Sequence, residues 1–231
     1  MTKPQLILLP GLLNDAELWR DQIAGLAGIA DCHVPDLTRG ETLEALAGQV
    51  LAEASPRFAL AGFSFGGYVA QEIARQAPER IERLALLDTA IRVDTPERAA
   101  FRRGLTKAAR LPGTFQGITD RMLASYIDRS RLADTELTGR IKTMTQRLGR
   151  EVFIRQNEVE RRDGEDVLRG LACPILVLCG ERDQITPLAD MREIAALSPH
   201  AELIVIPGSG HLTPMEQPEA VNAALRDWLA R

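Results

Sequence analysis

The feature that most constrains the fold is a sharp turn between an apolar run and a helical pattern at residues 57–77. Residues 62–66 read Gly-Phe-Ser-Phe-Gly, with a mainly apolar run before them and apolar side chains at helical spacing after them. This order predicts a strand, a tight turn carrying Ser64, and a helix. The glycines two positions either side of Ser64 are needed because a Cβ there would collide with the neighbouring helix or strand. The hydroxyl is expected near the helix N-terminus, where unpaired N–H groups favour negative charge.

Short apolar runs recur along the chain and alternate with helical patterns. They lie at residues 5–9, 32–37, 57–63, 84–87, 175–178 and 203–206. Continuous apolar strands separated by amphipathic helices are typical of a parallel sheet that is covered on both faces. We therefore predict an α/β fold with about six mostly parallel strands flanked by helices.

The stretch at residues 92–170 interrupts this alternation. It contains no convincing strand, and apolar residues such as Leu137 and Ile141 recur in it at helical spacing. A connection of this length between two strands is better explained as an inserted helical unit. We predict a core formed by residues 1–91 and 171–231, with residues 92–170 as a helical cap over one edge of the sheet.

Four polar residues directly follow predicted strands. Ser64, Asp88, Asp183 and His211 come after the third, fourth, fifth and sixth strands. Because the carboxyl ends of parallel strands meet at one edge of a sheet, we expect these side chains to lie together. A serine, an acid and a histidine supply a nucleophile, a base that takes its proton, and a carboxylate that orients the base. The other two histidines lie in a predicted strand and in a turn remote from this edge, which favours His211 as the base.

Charge and cysteine content exclude several classes of function. The formal net charge of −4 gives no electrostatic reason to expect a nucleic acid or an anionic membrane as partner. Three cysteines without metal-site spacing argue against a disulfide framework or a structural zinc. The apolar run before Pro10 is a poor signal peptide, and no run reaches the roughly eighteen apolar residues of a membrane span. We expect a cytoplasmic protein.

The chain resembles the serine hydrolases of the α/β-hydrolase fold, and is similar to bacterial carboxylesterases of the pimeloyl-carrier methyl ester esterase kind. The resemblance rests on Leu-Pro-Gly at 9–11, the turn at 62–66, Gly-x-x-Asp-x-x-x-Pro at 180–187, and Gly-His at 210–211 followed by Glu-x-Pro-Glu at 216–219. It implies that Ser64 is the nucleophile, Asp183 the acid and His211 the base. It also implies that a helical cap precedes the acid-bearing strand, and that no cofactor or metal takes part.

The same resemblance implies an oxyanion hole made by the backbone N–H groups of Leu12 and Phe65. One such donor typically raises kcat by a factor of about 10²–10³. Many relatives carry His-Gly where this chain has Pro10-Gly11, so a hydrogen bond from that histidine is absent and the rigidity of the Leu12 N–H is in question.

Some members of the fold carry the acid after the preceding strand, which leaves Asp88 as the alternative to Asp183. Glu216 is interpreted as a structural acid in the first turn of the last helix.

The expected activity is hydrolysis of a small-molecule carboxylic ester with a short to medium acyl group, through an acyl-enzyme. The alternatives are a lyase, a perhydrolase or haloperoxidase-like activity on the same triad, and a non-catalytic ligand-binding member of the fold. A basic stretch in the cap could recruit an acidic carrier protein or a carboxylated substrate, but we favour a solvated helix face. That stretch contains Arg92, Arg98, Arg102, Arg103, Lys107 and Arg110. Six further cap residues are expected to be mostly cap core, with two or three reaching an acyl pocket: Phe101, Phe115, Met122, Tyr126, Met144 and Phe153.

Overall fold

A parallel sheet runs through the centre of the computed structural model, which describes residues 3–231. Its strands are β1 (Gln5–Leu9), β2 (Asp31–His33), β3 (Phe58–Phe63), β4 (Ile81–Leu87), β5 (Ile175–Gly180) and β6 (Ala201–Ile206). They are arranged in the order β2-β1-β3-β4-β5-β6, and every neighbouring pair is parallel. The predicted α/β class with six strands is therefore confirmed, and the carboxyl ends of all the strands open on the same edge.

Helices cover both faces of this sheet. They are α1 (Arg20–Leu26), α2 (Leu43–Glu53), α3 (Phe65–Gln76), α4 (Pro96–Ala109), α5 (Asp120–Tyr126), α6 (Thr135–Glu158), α7 (Glu165–Gly170), α8 (Leu188–Ala195), α9 (Thr213–Glu216) and α10 (Pro218–Leu229). In the part of the chain that the structure describes, none of them combines the length and the apolar character needed to cross a membrane.

The alternation of side chains along the strands divides the core into two layers. Ile7 and Leu9 of β1 pack with the buried residues of α2, α3 and α8 on one face of the sheet. Leu6 and Leu8 pack with α1 and α10 on the other. All six residues of β3 are buried, because this central strand is covered on both faces. Its continuous apolar run follows from that double burial.

The segment between β4 and β5 consists of helices and connecting turns in this structure. Helix α6 buries Leu137 and Ile141, two of the residues whose helical spacing is visible in the sequence. At Gly149 the backbone has φ of 81°, so α6 bends at this residue instead of running straight. The division of the chain into a core and a cap stays a prediction.

The turn after β3 brings helix and strand backbones into close contact. A Cβ added to Gly62 would lie 2.5 Å from the carbonyl oxygen of Gly66 and 2.9 Å from the Cβ of Ala70. A Cβ added to Gly66 would lie 2.4 Å from the carbonyl oxygen of Leu9, at the end of β1. Both glycines are therefore required by space, and they hold the N-terminus of α3 directly over the ends of β1 and β3.

Replacing Gly62 by alanine is expected to lower the free energy of unfolding by at least about 2 kcal/mol, because the new methyl group meets backbone atoms that cannot move aside. Gly48→Ala is the matched control, since Gly48 is exposed in α2 and its Cβ would meet nothing within 4 Å. That change should stabilise the protein by about 0.5–1 kcal/mol. Urea denaturation of both variants measures the difference, and a Gly62→Ala variant as stable as wild type would contradict the close approach.

Candidate active site

Ser64 occupies the turn between β3 and α3 in a strained backbone conformation. Its φ is 51° and its ψ is −113°, a region that residues with a side chain rarely adopt. Three hydrogen bonds hold it there: its N–H donates to the Leu87 carbonyl at 2.9 Å, and its own carbonyl accepts from the Gly67 N–H at 2.9 Å and the Thr89 hydroxyl at 2.8 Å. The strained turn presents the Ser64 hydroxyl to an adjoining cavity.

His211, the base expected from the sequence, lies within hydrogen-bonding distance of both Ser64 and Asp183, the expected nucleophile and acid. Ser64 Oγ is 3.0 Å from His211 Nε2, and His211 Nδ1 is 2.8 Å from Asp183 Oδ2. They follow β3, β6 and β5, three strands whose carboxyl ends share one edge of the sheet. His211 is only 2% exposed and Asp183 only 7%, so bulk water barely reaches the pair.

Asp183 is held as an ionised carboxylate by its surroundings. Its Oδ1 accepts from the backbone N–H groups of Ile185 at 2.8 Å and Thr186 at 3.0 Å, and its Oδ2 accepts from the Thr186 hydroxyl at 2.6 Å. Burial by itself raises the pKa of this carboxyl, but the His211 charge and the hydrogen bonds from His211 and Thr186 outweigh it and leave the pKa below its ordinary value. The carboxylate can therefore orient His211 and stabilise its charged form.

Asp88, the alternative acid, lies next to this group and in a different environment. Its Oδ1 accepts from the Gly180 N–H at 2.9 Å, and its Oδ2 accepts from the Thr213 hydroxyl. The side chain is fully buried, and burial, with the charge of Asp183 adding to it, raises the pKa of Asp88 well above its ordinary value. Within residues 3–231, the hydrogen-bonded carboxylate of His211 is Asp183 and not Asp88.

Asp88, Asp183 and His211 also offer three potential metal-ligand atoms within 4.8 Å of one another. The oxygens of both carboxylates and both ring nitrogens of His211 already have hydrogen-bond partners in the protein. Because these hydrogen bonds account for every polar atom of the cluster, none of its possible ligand atoms is left unpaired for a metal ion.

The loop that carries His211 is supported by a buried glutamate. Glu216 is the last residue of the short helix α9, and not part of the first turn of α10 as interpreted from the sequence. Its carboxylate accepts from the N–H groups of Gly210 at 3.0 Å, Leu212 at 3.1 Å and Asp128 at 2.6 Å. It is fully buried, and burial raises its pKa. Glu216 therefore fixes the backbone on both sides of His211. Its third hydrogen bond comes from Asp128, which lies 88 positions earlier in the chain.

Leu12 and Phe65, the two residues expected to supply N–H donors, line the cavity beside Ser64. Leu12 follows β1, and Phe65 is the first residue of α3. In the part of the chain that the structure describes, neither N–H donates a hydrogen bond to the protein, so both are free to meet a ligand oxygen. The helix N-terminus adds its partial positive charge at the Phe65 position.

Gln156, a side chain of α6, holds the turn that carries Leu12 through a hydrogen bond from Leu13. This contact restrains the turn although Pro10 stands where many relatives have histidine. The Leu13 N–H donates to Gln156 Oε1 at 2.8 Å, and Gln156 Nε2 donates to the Leu37 carbonyl at 3.1 Å. Leu13 has φ of 53°, and Gln156 is fully buried. The sequence does not predict this role of Gln156, because a glutamine within a long helix carries no local signal of a contact with a distant turn.

The chain matches known proteins over nearly its whole length. Residues 6–224 match the Alpha/beta hydrolase family. The chain belongs to this family. It is similar to the pimeloyl-[acyl-carrier protein] methyl ester esterase of Xanthomonas oryzae pv. oryzae, with 29% identity over 98% of this chain and 95% of that protein. The corresponding protein of Vibrio parahaemolyticus is 25% identical over 97% of this chain and 94% of its own length.

Solved structures of other α/β hydrolases superimpose on nearly the whole chain. A thermophilic esterase from Thermogutta terrifontis, in its malate-bound form, has a TM-score of 0.90 and 33% identity, over 99% of this chain and 90% of that one. An enol-lactonase from Burkholderia xenovorans LB400 has a TM-score of 0.88 and 24% identity, over 100% and 93% of the two chains. At 24% identity, the second likeness speaks for the fold alone.

In this α/β hydrolase, a cavity of about 540 Å³ adjoins Ser64 and His211. Four of the six cap residues considered from the sequence line it: Phe101, Met122, Tyr126 and Phe153. The expectation of two or three was therefore too low. Phe115 instead packs against Phe153 with ring centroids 5.5 Å apart, and Met144 is fully buried. The volume and apolar lining suit a small ligand.

Most of the basic residues at the start of the helical segment have acidic partners. Arg92 pairs with Asp163, Glu165 and Glu193, Arg98 with Asp190, Arg102 with Asp94, and Arg110 with Glu158. Within residues 3–231, only Arg103 and Lys107 of the six make no ion pair. This neutralisation leaves little positive charge for an acidic protein surface, and it favours the solvated helix face.

The raised pKa of Asp88 predicts a pH-dependent effect of Asp88→Asn. In the unfolded chain Asp88 has the ordinary aspartate pKa of 3.8 and releases its proton above that pH, whereas in the folded state it keeps the proton to a higher pH. The contribution of Asp88 to the free energy of unfolding is therefore full at low pH and is lost as the pH rises. Asparagine does not titrate. The variant should therefore gain stability relative to wild type as the pH rises from about 4 to about 8.

Asp128→Asn is a control of opposite sign. Hydrogen bonds from Ser130 and the Arg182 charge lower the pKa of Asp128, so its contribution is present at neutral pH and is lost as the pH falls. Chemical denaturation at several pH values measures both variants. A stability difference between Asp88→Asn and wild type that stays constant with pH would contradict the raised pKa.

Proposed function

We propose that this α/β hydrolase cleaves carboxylic esters with short to medium acyl groups, through an acyl-enzyme formed on Ser64. The observation that carries the proposal is the continuous chain of contacts from Ser64 Oγ to His211 at 3.0 Å and from His211 to Asp183 at 2.8 Å. A serine in a strained turn, next to a base that is itself oriented by a carboxylate, is the arrangement needed for nucleophilic acyl transfer.

In the first step, Ser64 Oγ attacks the ester carbonyl carbon while His211 Nε2 takes its proton. Asp183 keeps the proton of His211 on Nδ1 and stabilises the positive charge that forms on the ring. The carbonyl oxygen becomes an oxyanion between the N–H groups of Leu12 and Phe65. His211 then gives its proton to the leaving alcohol as the bond between the carbonyl carbon and the alcohol oxygen breaks.

In the second step, water hydrolyses the acyl-enzyme. His211 removes a proton from the water as its oxygen attacks the same carbonyl carbon, and the oxyanion forms again at the same two N–H groups. The bond to Ser64 Oγ breaks, His211 returns the proton to the serine, and the carboxylic acid leaves. No group beyond those of the protein and water is needed for the balance of atoms and charge.

Two observations support a small ester as the substrate. The cavity beside Ser64 has a volume of about 540 Å³, which is in the range of small-molecule sites. The relatives from Xanthomonas oryzae and Vibrio parahaemolyticus are named pimeloyl-[acyl-carrier protein] methyl ester esterases, which supports an ester bond as the target but a carrier-bound substrate for those proteins. The paired arginines of α4 argue for a free small-molecule ester here over one carried by an acidic protein.

Labelling with a fluorophosphonate tests the nucleophile and the base together. Wild type should be labelled at Ser64 and should hydrolyse p-nitrophenyl esters in a series from acetate to decanoate, and Ser64→Ala should do neither. Replacing His211 by alanine should lower kcat by about 10³-fold or more. Asp183→Asn should also lower it severely, whereas Asp88→Asn should stay within about tenfold of wild type, since the carboxylate of Asp88 bonds Gly180 and Thr213 and not His211.

The outcomes separate the alternative functions. A wild-type serine that is not labelled would exclude the hydrolase and favour a non-catalytic ligand-binding protein. A labelled serine with no activity on any ester would favour a lyase or a perhydrolase-like reaction on the same triad. Labelling at full rate in His211→Ala would exclude His211 as the base, and a larger loss in Asp88→Asn than in Asp183→Asn would reverse the assignment of the acid.

Gln156 is expected to act as a positioning residue for the Leu12 N–H. Replacing it by alanine removes the acceptor for the Leu13 N–H and should lower kcat by about 10–100-fold with a smaller change in KM, because the oxyanion is stabilised only in the transition state. Gln146→Ala is the matched control, since Gln146 is exposed on the same helix. Steady-state kinetics and a thermal unfolding curve of each variant check this, and an unchanged kcat with a raised KM would contradict it.

A further inference from the structure

Arg161 places a guanidinium group in the same cavity as Ser64 and His211. Its central carbon lies 4.7 Å from the ring centroid of Phe65 and 5.3 Å from that of Tyr68. Phe65 directly follows Ser64, and both residues line the same cavity as Arg161. Stacking on two aromatic faces also fixes the plane of the guanidinium group.

This charge has no acidic partner in the part of the chain that the structure describes. The hydrogen bonds of Arg161 run from Nη1 to the carbonyl oxygens of Val159 at 2.7 Å and Gln156 at 3.3 Å. The other two arginines that line the cavity are paired: Arg98 with a carboxylate at 3.0 Å and Arg102 with one at 2.6 Å. Within the described residues, Arg161 is therefore the cavity arginine that makes no ion pair, and the Asp94 carboxylate acts on it only from a longer distance.

Arg161 is half-buried, and a charge that is partly removed from water without an ion pair is costly unless something binds to it. Burial, with the charge of Arg102 adding to it, lowers the pKa of Arg161 to about 10, so the group is still charged at neutral pH. Its Nε and Nη2 have no acceptor within residues 3–231, and a guanidinium presents these N–H donors as a planar fork. That fork matches the two oxygens of a carboxylate.

We propose that Arg161 binds a carboxylate at the far end of the acyl chain, so that the preferred substrates are monoesters of short dicarboxylic acids. This rests on the proposed ester hydrolysis. Phe65 then serves both ends of the substrate: its N–H meets the ester oxygen, and its ring holds the guanidinium that meets the carboxylate. The apolar side chains of the cavity contact the methylene groups between the two ends.

The rival explanation is that Arg161 only clamps the end of α6 to the aromatic rings of α3. The two roles differ in what the substitution Arg161→Met does, since methionine keeps an apolar stem over Phe65 but has no charge. If Arg161 only packs against the rings of α3, its loss lowers activity on every ester. Loss of a carboxylate site lowers activity only on the esters that carry a free acid.

The test compares monomethyl and dimethyl esters of succinate, glutarate and adipate. Wild type should have a higher kcat/KM for the monoester, and Arg161→Met should lower the monoester-to-diester ratio by about 10–100-fold while the diester rate stays within about threefold. Arg161→Lys should keep part of the preference. Arg103→Met is the control, because Arg103 is exposed on α4 and does not line the Ser64 cavity, and it should leave the ratio unchanged.

Binding provides a readout that does not depend on activity. Glutarate should bind to Ser64→Ala in calorimetry, and the double variant Ser64→Ala, Arg161→Met should lose about 10-fold or more in affinity. Tighter, Arg161-dependent binding of inorganic phosphate than of glutarate would overturn the carboxylate assignment. Equal losses on monoester and diester, or the same ratio in wild type and Arg161→Met, would overturn the proposal. If no ester is hydrolysed, the proposed function fails, and calorimetry still decides the role of Arg161.

Discussion

The close approach of α3 to the ends of β1 and β3 is the constraint on which the rest of the site depends. It is possible only because Gly62 and Gly66 have no Cβ, and it forces Ser64 to a φ of 51°. Three hydrogen bonds from β4, its following loop and α3 balance part of that strain. The same approach directs the N-terminus of α3, with the Phe65 N–H, at the cavity. The close approach of α3 therefore sets three features of the site: the position of the Ser64 hydroxyl, the unpaired Phe65 N–H, and the direction of the helix dipole.

Around this turn, the protein places two aspartates in environments that separate their pKa values. Asp183 receives two backbone N–H groups, a hydroxyl and His211, so its pKa is lowered in spite of its burial. Asp88, fully buried beside that negative charge, has its pKa raised. Neighbouring carboxyl groups whose pKa values are pushed apart in this way take different roles. The lowered pKa suits Asp183 to balance a charged His211, while Asp88 serves the packing of the β5 and α9 ends.

The end of α6 and the residues after it contribute two side chains to the cavity region. Gln156 fixes the turn after β1, and Arg161 stacks on the ring of Phe65. Gln156 therefore holds the residue after Leu12, and Arg161 adds positive charge to the wall of the Ser64 cavity. The proposed preference for a second carboxylate depends on this segment, whereas the proposed reacting groups lie in the loops after the strands.

The sequence by itself determined the strand, turn and helix around Ser64, the six-stranded α/β fold, and the strand-end positions of Asp183 and His211. These features are readable because they depend on local spacing, glycine positions and apolar periodicity. Tertiary structure alone decided that Gln156 bonds Leu13, a contact between residues 143 positions apart, and that Glu216 bonds Asp128, 88 positions away. It also decided that Arg161 faces Phe65 without an acidic partner within residues 3–231. The physical reason is that periodicity reports which face of an element is buried, whereas the partner of a buried polar group is set by how distant elements pack.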